Sequence, residues 1–428
     1  MKKVLIFFIV VFCFNHSPTS AQGLPVTAPP EIWSIRSVDT MKTSRDKARA
    51  ELYNKSYDNV IDNDLKIIKE MGANYVAIDT PYDDEFLPYL KRWVAHARSF
   101  GLKVWYRGNW SNWEGWFDYP KNMSPTEHIA KTSEFVEKHS DIFEDGDIFD
   151  PCPECENAGF WQLNSNNAAY NQFLQDQQAG LKKSFNKINK QVYTNIFSII
   201  GGRAREVLDK QTANNLDNTI TIDHYFKNTS SLADYYNHFS KDLNSHIIFG
   251  EFGAPIPDIN GNMDENKQAE FIYDAFSNFY ENKDVVIGIN YNVLAEGSSA
   301  LVNYDRTPRK AIEVIKDFYI PGSVQGVVTN TLCEKVPNLY IGTKEIPELA
   351  ITNSDGEYRV VAPAGNIQIS TDGTYYKNLT RDITITRGST LALNIVVEPE
   401  NPTIIYKLRL WLNQVLLEIR VKLKKFNL

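Results

Sequence analysis

The chain has 428 residues, 12% of them aromatic, and its 45 Lys and Arg against 53 Asp and Glu leave a net charge of −8. This length exceeds one average domain and is ample for a large core. The acidic balance argues against a nucleic-acid partner, which would require a basic stripe.

Lys2 and Lys3 precede an apolar run from Val4 to Phe14, and small residues follow at Thr19 and Ala21. This is the pattern of a secretory signal peptide spanning residues 1–21, so the protein is expected to be secreted or extracellular. The run is too short to span a bilayer comfortably. Beyond it, short apolar runs alternate with longer amphipathic segments. Strands are expected at 32–38, 75–79, 102–106, 147–149, 192–197, 219–225, 246–251 and 285–291. Helices are expected at 57–71, 85–100, 125–139, 167–186, 203–209, 231–243, 266–280 and 308–319. Eight strand-then-helix units predict an α/β fold, a (β/α)8 TIM barrel over residues 22–320. No Gly-x-Gly-x-x-Gly follows the first strand to favour a dinucleotide fold.

Pro321 and Gly322 mark a boundary, and residues 321–398 carry several short strands separated by turn signals. This spacing predicts a small all-β sandwich domain. With Gly326-Val327-Val328, Asn353-Ser354-Asp355-Gly356-Glu357-Tyr358 and Ala362-Pro363-Ala364-Gly365, this part resembles the carboxypeptidase regulatory-like domain. The resemblance implies a transthyretin-like sandwich with no catalysis of its own. Residues 399–428 form a basic amphipathic tail, with Lys407, Arg409, Arg420, Lys422, Lys424 and Lys425 against Glu418. Two readings stand open for it: a peripheral membrane or cell-surface contact, and a helix or strand docked on the sandwich.

Once Cys13 leaves with the signal, Cys152, Cys155 and Cys333 remain, an odd number that gives no disulfide framework. Cys152-Pro153-Glu154-Cys155 matches a C-x-x-C motif but lacks the helix start that thioredoxins use, and no second ligand pair for zinc follows. No metal site and no cofactor are expected.

The strand ends of a barrel converge on one face. There the sequence gathers Arg36, Asp39, Asp79, Tyr82, Arg107, Asn109, the acidic turn from Asp150 to Asn157, Asn195, Asp223, His224, Tyr225, Glu251, Asn290 and Tyr291. Carboxylates facing a polar, aromatic-lined cleft match the requirements of glycoside hydrolysis: one proton donor and one nucleophile or base. Glu251, at the end of the apolar run Ile247-Ile248-Phe249 and flanked by Gly250 and Gly253, is the firmest candidate. A turn-capping or Lys-paired glutamate is the plainer reading of that residue.

With Gly250-Glu251-Phe252-Gly253 after strand seven, the acidic turn after strand four, His224-Tyr225 and Gly288-Ile289-Asn290-Tyr291, residues 31–319 resemble the clan A glycoside hydrolases, most nearly the family 5 cellulase-like group. The resemblance implies a retaining hydrolase acting on O-glycosidic bonds of a β-linked oligo- or polysaccharide. It implies Glu251 as nucleophile and a glutamate after strand four as acid/base. Glu154, nearer the strand end, is preferred for that role, with Glu156 as the alternative. Two departures stand out. Pro153 rather than Asn precedes Glu154, and Asn292 rather than Trp follows Tyr291. Trp110, Trp113, Trp116 and Trp161 are the candidate sugar platforms, each as readily a packing residue. Tyr225 would hold Glu251 by a hydrogen bond, Arg107 would keep it ionised, His224 would contact a sugar hydroxyl, and Asp79 and Asn290 would bind others. The competing expectations are a non-catalytic carbohydrate-binding barrel and a metal-dependent barrel hydrolase.

Overall fold

The structure is a computed structural model in which residues 29–109, 116–119, 123–157 and 166–425 are described. The expected signal peptide and Trp110, Trp113 and Trp161 lie outside the described residues, as does the side chain of Trp116. One compact unit spans Trp33–Tyr319, and a second begins at Ile320.

The first unit is built on eight parallel strands: β1 (Ile35–Asp39), β2 (Tyr75–Ile78), β3 (Lys103–Tyr106), β4 (Ile148–Phe149), β5 (Ser198–Ile200), β6 (Thr219–Asp223), β7 (His246–Phe252) and β8 (Val286–Tyr291). Their order, β4-β3-β2-β1-β8-β7-β6-β5, is that of a sheet curling around to bring β4 towards β5. The seam is closed by one bridge, in which the Phe149 amide donates to the Tyr193 carbonyl at 3.0 Å and the Tyr193 amide donates to the Asp147 carbonyl at 2.8 Å. The α/β barrel expected from the alternating pattern is therefore the observed fold. Its interior is filled by Ile35, Tyr75, Ala77, Trp105, Ile148, Ile196 and Ile248.

The long helices between strands are α1 (Asp58–Glu70), α2 (Leu87–Ser99), α3 (Pro125–Lys138), α4 (Asn167–Lys187), α5 (Gly201–Val207), α6 (Lys210–Asn215), α7 (Leu232–Asn237), α8 (Glu265–Glu281) and α9 (Ala311–Tyr319). Their starts follow local chemistry. Ser124, Asn166, Asp209 and Asp264 each accept a hydrogen bond from the third amide of the helix they cap, satisfying donors that a helix otherwise leaves open.

The fifth strand requires a correction. Expected at Val192–Phe197, it instead runs from Ser198 to Ile200, with Tyr193 alone making the bridge to β4. The residues presented at its C-terminal end therefore change. The Asn195 amide donates to the Leu216 carbonyl at 3.2 Å instead of joining the strand ends. Arg36 is likewise displaced from the expected set. Its guanidinium donates to the carbonyls of Trp33 and Gly72, while Asp39 ends the same strand.

The second unit is all-β. One sheet has the order β11-β10-β13-β14 (Ala350–Ile351, Tyr340–Thr343, Gly365–Asp372, Thr380–Ile385), and the other has β12-β9-β15 (Glu357–Ala362, Gly322–Asn330, Thr390–Ala392), with β16 (Ile395–Val397) also paired to β9. Val324, Val328, Ile341, Tyr358, Val360, Ile369, Ile385 and Ile395 are buried within it. A helix, α10 (Ile404–Lys425), follows. Its first turns are tied to this unit by a hydrogen bond between the Tyr406 and Thr331 hydroxyls and by an Arg409–Glu334 ion pair at 2.7 Å. Among the described residues no helix is long and apolar enough to cross a membrane.

Candidate active site

The site is assembled around Arg107, the residue after β3, which is 3% exposed. Its guanidinium lies over the Trp105 ring, with 5.7 Å between Cζ and the ring centroid. Nη1 donates to Ser198 Oγ at 2.8 Å and to the Gly250 carbonyl at 2.9 Å. Nη2 donates to Glu251 Oε1 at 2.7 Å and to Asp223 Oδ2 at 3.3 Å. Nε lies 3.5 Å from Asp79 and 3.6 Å from Asp39. Burial alone would lower the pKa of this group, but the four carboxylates reverse the effect and hold it well above its ordinary value.

Burial works against the charge of the acids around this guanidinium. Burial raises Asp39 to about 6, and it raises Asp79 and Asp223 well above the carboxylate range, with repulsion from Asp39 adding to Asp79 and repulsion from Glu251 adding to Asp223. Glu251, the most exposed member of the four, reaches the cleft. Its second oxygen, Oε2, accepts from the Tyr225 hydroxyl at 2.7 Å. Both oxygens of this carboxylate are thus fixed by hydrogen-bond donors.

Gly250 makes this geometry sterically feasible. A Cβ at that position would sit 2.4 Å from Asp223 Oδ1 and 2.7 Å from Ser198 Oγ, so only glycine leaves room for the cluster.

The turn after β4 is docked along β5 by its side chains. Asp150 Oδ2 accepts from the Ser198 amide at 3.0 Å, the Glu154 amide donates to the Ser198 carbonyl at 2.7 Å, and Glu156 Oε1 accepts from the Ile200 amide at 2.6 Å. These bonds separate the two glutamates. Glu156 is 4% exposed, with its carboxyl also accepting from the Tyr170 hydroxyl at 3.3 Å. It is thereby corrected from candidate ligand or proton donor to an anchor of the turn. Glu154 faces the cleft instead, and one carboxyl oxygen from each of Glu154, Asp223 and Glu251 lies within 4.8 Å of the other two. Burial pushes Glu154 well above the usual carboxylate range, and repulsion from Glu251, Asp223 and Glu156 adds to that effect against the pull of Arg107.

Three carboxylates this close are a spacing a cation could bridge. The guanidinium of Arg107 already supplies a positive charge to Asp223 and Glu251, and no metal role is assigned to them. Cys152 and Cys155, which the odd cysteine count left without a disulfide framework, are joined by a disulfide with 5.3 Å between Cα atoms. With His128 they make a second convergent group, but sulfurs bonded to each other offer no thiolate to a metal. Asn109 Oδ1 lies 3.8 Å from the Cys152 sulfur, beside this bond.

Other candidates occupy different places. Tyr291 is fully buried; its ring packs edge-on to Phe252, and its hydroxyl donates to the Ser299 carbonyl at 2.9 Å, with the Ala254 carbonyl at 3.1 Å as the other acceptor in reach. Asn290 is also buried, donating to Asp39 Oδ2 at 3.2 Å and to the Gly250 carbonyl at 2.8 Å. Both are corrected from ligand contacts to supports of the strand ends. Asp79 serves the Arg107 cluster. His224 stacks against Tyr235 at 4.1 Å between centroids, and burial and Arg205 lower it to about 4, so the ring is neutral. Its Nε2 has no hydrogen-bond partner among the described residues. Ser198 and Tyr170 were not singled out in the sequence, because a lone Ser and a helical Tyr carry no signal of the groups they hold.

No family model matches the chain, and no curated protein matches it. Among solved structures it is similar to a family 5 xyloglucanase from Paenibacillus pabuli, at 12% identity over 60% of this chain and 89% of the other, with a TM-score of 0.46. It is similar to two fungal β-1,4-galactanases at 16% identity over 66% and 99%, with a TM-score of 0.47. It is similar to an exo-β-1,4-mannosidase from Opitutaceae bacterium strain TAV5 at 11% identity over 71% and 62%, with a TM-score of 0.48. At this distance the chemistry must be read from the side chains of the chain itself.

Proposed function

We propose that the barrel is a retaining glycoside hydrolase acting on O-glycosidic bonds of a β-linked oligo- or polysaccharide. The observation that carries the reading is the approach of Glu154 to Glu251, with one carboxyl oxygen of each within 4.8 Å of the other. Retaining enzymes place their two carboxyls roughly 5–5.5 Å apart, whereas inverting enzymes leave room for a water between them. The environments also separate the two roles. Glu251 is held by Arg107 and Tyr225, which suits a nucleophile. Glu154 is raised by burial and by its acidic neighbours, which suits a group that must begin protonated.

In the first step a Glu251 oxygen bonds to the anomeric carbon as the bond to the leaving oxygen breaks, and Glu154 gives that oxygen its proton. In the second, water attacks the same carbon, Glu154 takes the water's proton, and Glu251 leaves as carboxylate. Arg107 and Tyr225 orient Glu251 throughout.

Assay against a panel of aryl β-glycosides and soluble β-glycans tests this reading. Turnover that is lost in Glu251→Gln and survives a chelator supports it. Binding without turnover would replace it with a carbohydrate-binding barrel, and loss of turnover to the chelator with a metal-dependent hydrolase. The same reading takes the protein as exported and its second unit as a carboxypeptidase regulatory-like domain. It takes α10 as a peripheral contact, supported by the exposure of Ile404, Ile405, Leu408 and Trp411 beside basic residues. Detection of the chain in culture medium without residues 1–21, and co-sedimentation with anionic vesicles, test the first and last of these.

A further inference from the structure

The catalytic reading gives no role to the Cys152–Cys155 disulfide, which brackets Glu154 directly. Both cysteines are 1% exposed. Cys152 is anchored to β5 through Asp150, whose Oδ1 accepts from the Cys152 amide at 3.3 Å while Oδ2 accepts from the Ser198 amide. Cys155 adjoins Glu156, whose carboxyl is anchored on the Ile200 amide. The disulfide therefore joins the two anchored ends of a loop that contains only Pro153 and Glu154, and inside it the Glu154 amide makes one further bond, to the Ser198 carbonyl at 2.7 Å.

Glu154 has two reasons to leave that loop. Its φ of +51° is a left-handed conformation that non-glycine residues avoid. Its carboxyl faces Glu251 from β7, Asp223 from β6 and Glu156 from its own turn, against the pull of Arg107 after β3, with Tyr170 of α4 close enough to feel its charge. A short covalent ring opposes both tendencies, because it removes the extended conformations to which the released turn would relax.

We propose that the Cys152–Cys155 disulfide is a positioning element for Glu154, holding its carboxyl against Glu251 in a backbone conformation the turn would otherwise abandon. This rests on the two-carboxylate reading above. Without the bond, Pro153 and Glu154 swing outward, the carboxyl gains water, and its distance from Glu251 and Asp223 grows. The acid is then misplaced and ordinary in strength while the nucleophile is untouched.

The test compares the full chain with its Cys152→Ala/Cys155→Ala variant, labelled with 13C at the glutamate carboxyls. The Glu154 resonance is assigned by its absence in Glu154→Gln. The apparent pKa of Glu154 is expected to fall by about one pH unit or more in the double variant. Its kcat on an aryl glycoside with a poor leaving group is expected to drop about 10-fold or more with KM nearly unchanged, and the alkaline limb of the rate profile to move to lower pH. A highly activated aryl leaving group should narrow the deficit in the first step. Should the variant not fold by circular dichroism, the wild-type chain treated with dithiothreitol, with two new thiols counted by titration, replaces it.

An unchanged Glu154 titration overturns the proposal whatever the rates do. So does a fall in rate with the pH profile unmoved, which would mean the bond only stabilises the fold. If the wild-type chain cleaves no glycoside, the hydrolase reading fails, and the titration alone decides the role of the disulfide.

Discussion

Arg107 Nη2 lies 2.7 Å from Glu251 Oε1 across 144 positions of sequence, and the same guanidinium touches Asp39, Asp79 and Asp223. The cleft is therefore supported by a buried charge network with more acids than bases. Its protons are shared out by environment, with Asp39, Asp79 and Asp223 pushed up and Arg107 held charged.

Replacing Arg107 with Met should destabilise the barrel by about 3–5 kcal/mol near neutral pH, because it strands buried carboxylates. Folded-state pKa values of Asp39, Asp79 and Asp223, already raised, rise further without the cation. Stability from a group raised in this way is complete at low pH and lost as pH climbs through the folded pKa. The deficit should therefore be small in acid and large in base. Urea titrations of both proteins across pH would contradict this if the gap were constant.

Tyr225→Phe removes one of the two donors named for Glu251 and leaves the ring in place. Bonds to charged groups contribute about 1.5–3 kcal/mol, so kcat should fall roughly 10- to 100-fold with KM little changed. A change confined to KM would assign Tyr225 to substrate binding.

Glu154→Gln should abolish the alkaline limb of the rate profile, since the raised carboxyl that loses its proton there is gone. Activity on poor leaving groups should collapse by about 10²-fold or more. Azide, which needs no base, should restore turnover of activated aryl glycosides as the glycosyl azide. If azide gives no such product, Glu154 is not the acid/base.

Burial raises Glu156 from 4.5 to about 7 despite its bonds to the Ile200 amide and Tyr170. Its contribution is therefore full below about pH 4.5 and lost as pH rises towards 7, at up to about 1.4 kcal/mol per pH unit. Glu156→Gln keeps an acceptor for Ile200 and removes the charge, so the stability of the variant should change less steeply across that window. Parallel slopes in denaturant midpoint against pH would refute the assignment.

Gly250→Ala should cost about 1–3 kcal/mol by overpacking, and it should lower kcat because the new methyl displaces Asp223 or Ser198 and, through them, Arg107. Thermal melts and rates measured together check this, and an active, fully stable variant would disprove the steric argument.

The strand carrying Glu251 was legible because a continuous apolar run ending in glycine and a carboxylate has few other homes than a buried parallel strand. The fifth strand was misplaced because Val192–Phe197 looks as strand-like as Ser198–Ile200, and only the ladder of Ser198–Ile200 with Thr221–Asp223 decides between them. Glu154 and Glu156 could not be separated in sequence. Their fates depend on the Ser198 carbonyl and the Ile200 amide, which belong to a distant segment. An odd cysteine count does not reveal which two are neighbours in space, so the Cys152–Cys155 bond was missed. Asn290 and Tyr291 were placed at the right strand end, but the direction of a side chain is set by packing, and both turn inward.

The seam between β4 and β5 has a dynamic consequence. Every other neighbouring pair of barrel strands is a ladder, whereas this one is a bridge at Tyr193 supplemented by single backbone bonds from Gly146 to Gln191 and from Glu154 to Ser198 and by side-chain bonds from Asp150 and Glu156. Local opening follows the weakest set of backbone bonds. In deuterated solvent the amides of Phe149, Tyr193 and Glu154 should therefore exchange ahead of those in β7 and β8. Breathing of the barrel would begin beside the proton donor, making the tightness of this one joint a control on how often the cleft is correctly assembled.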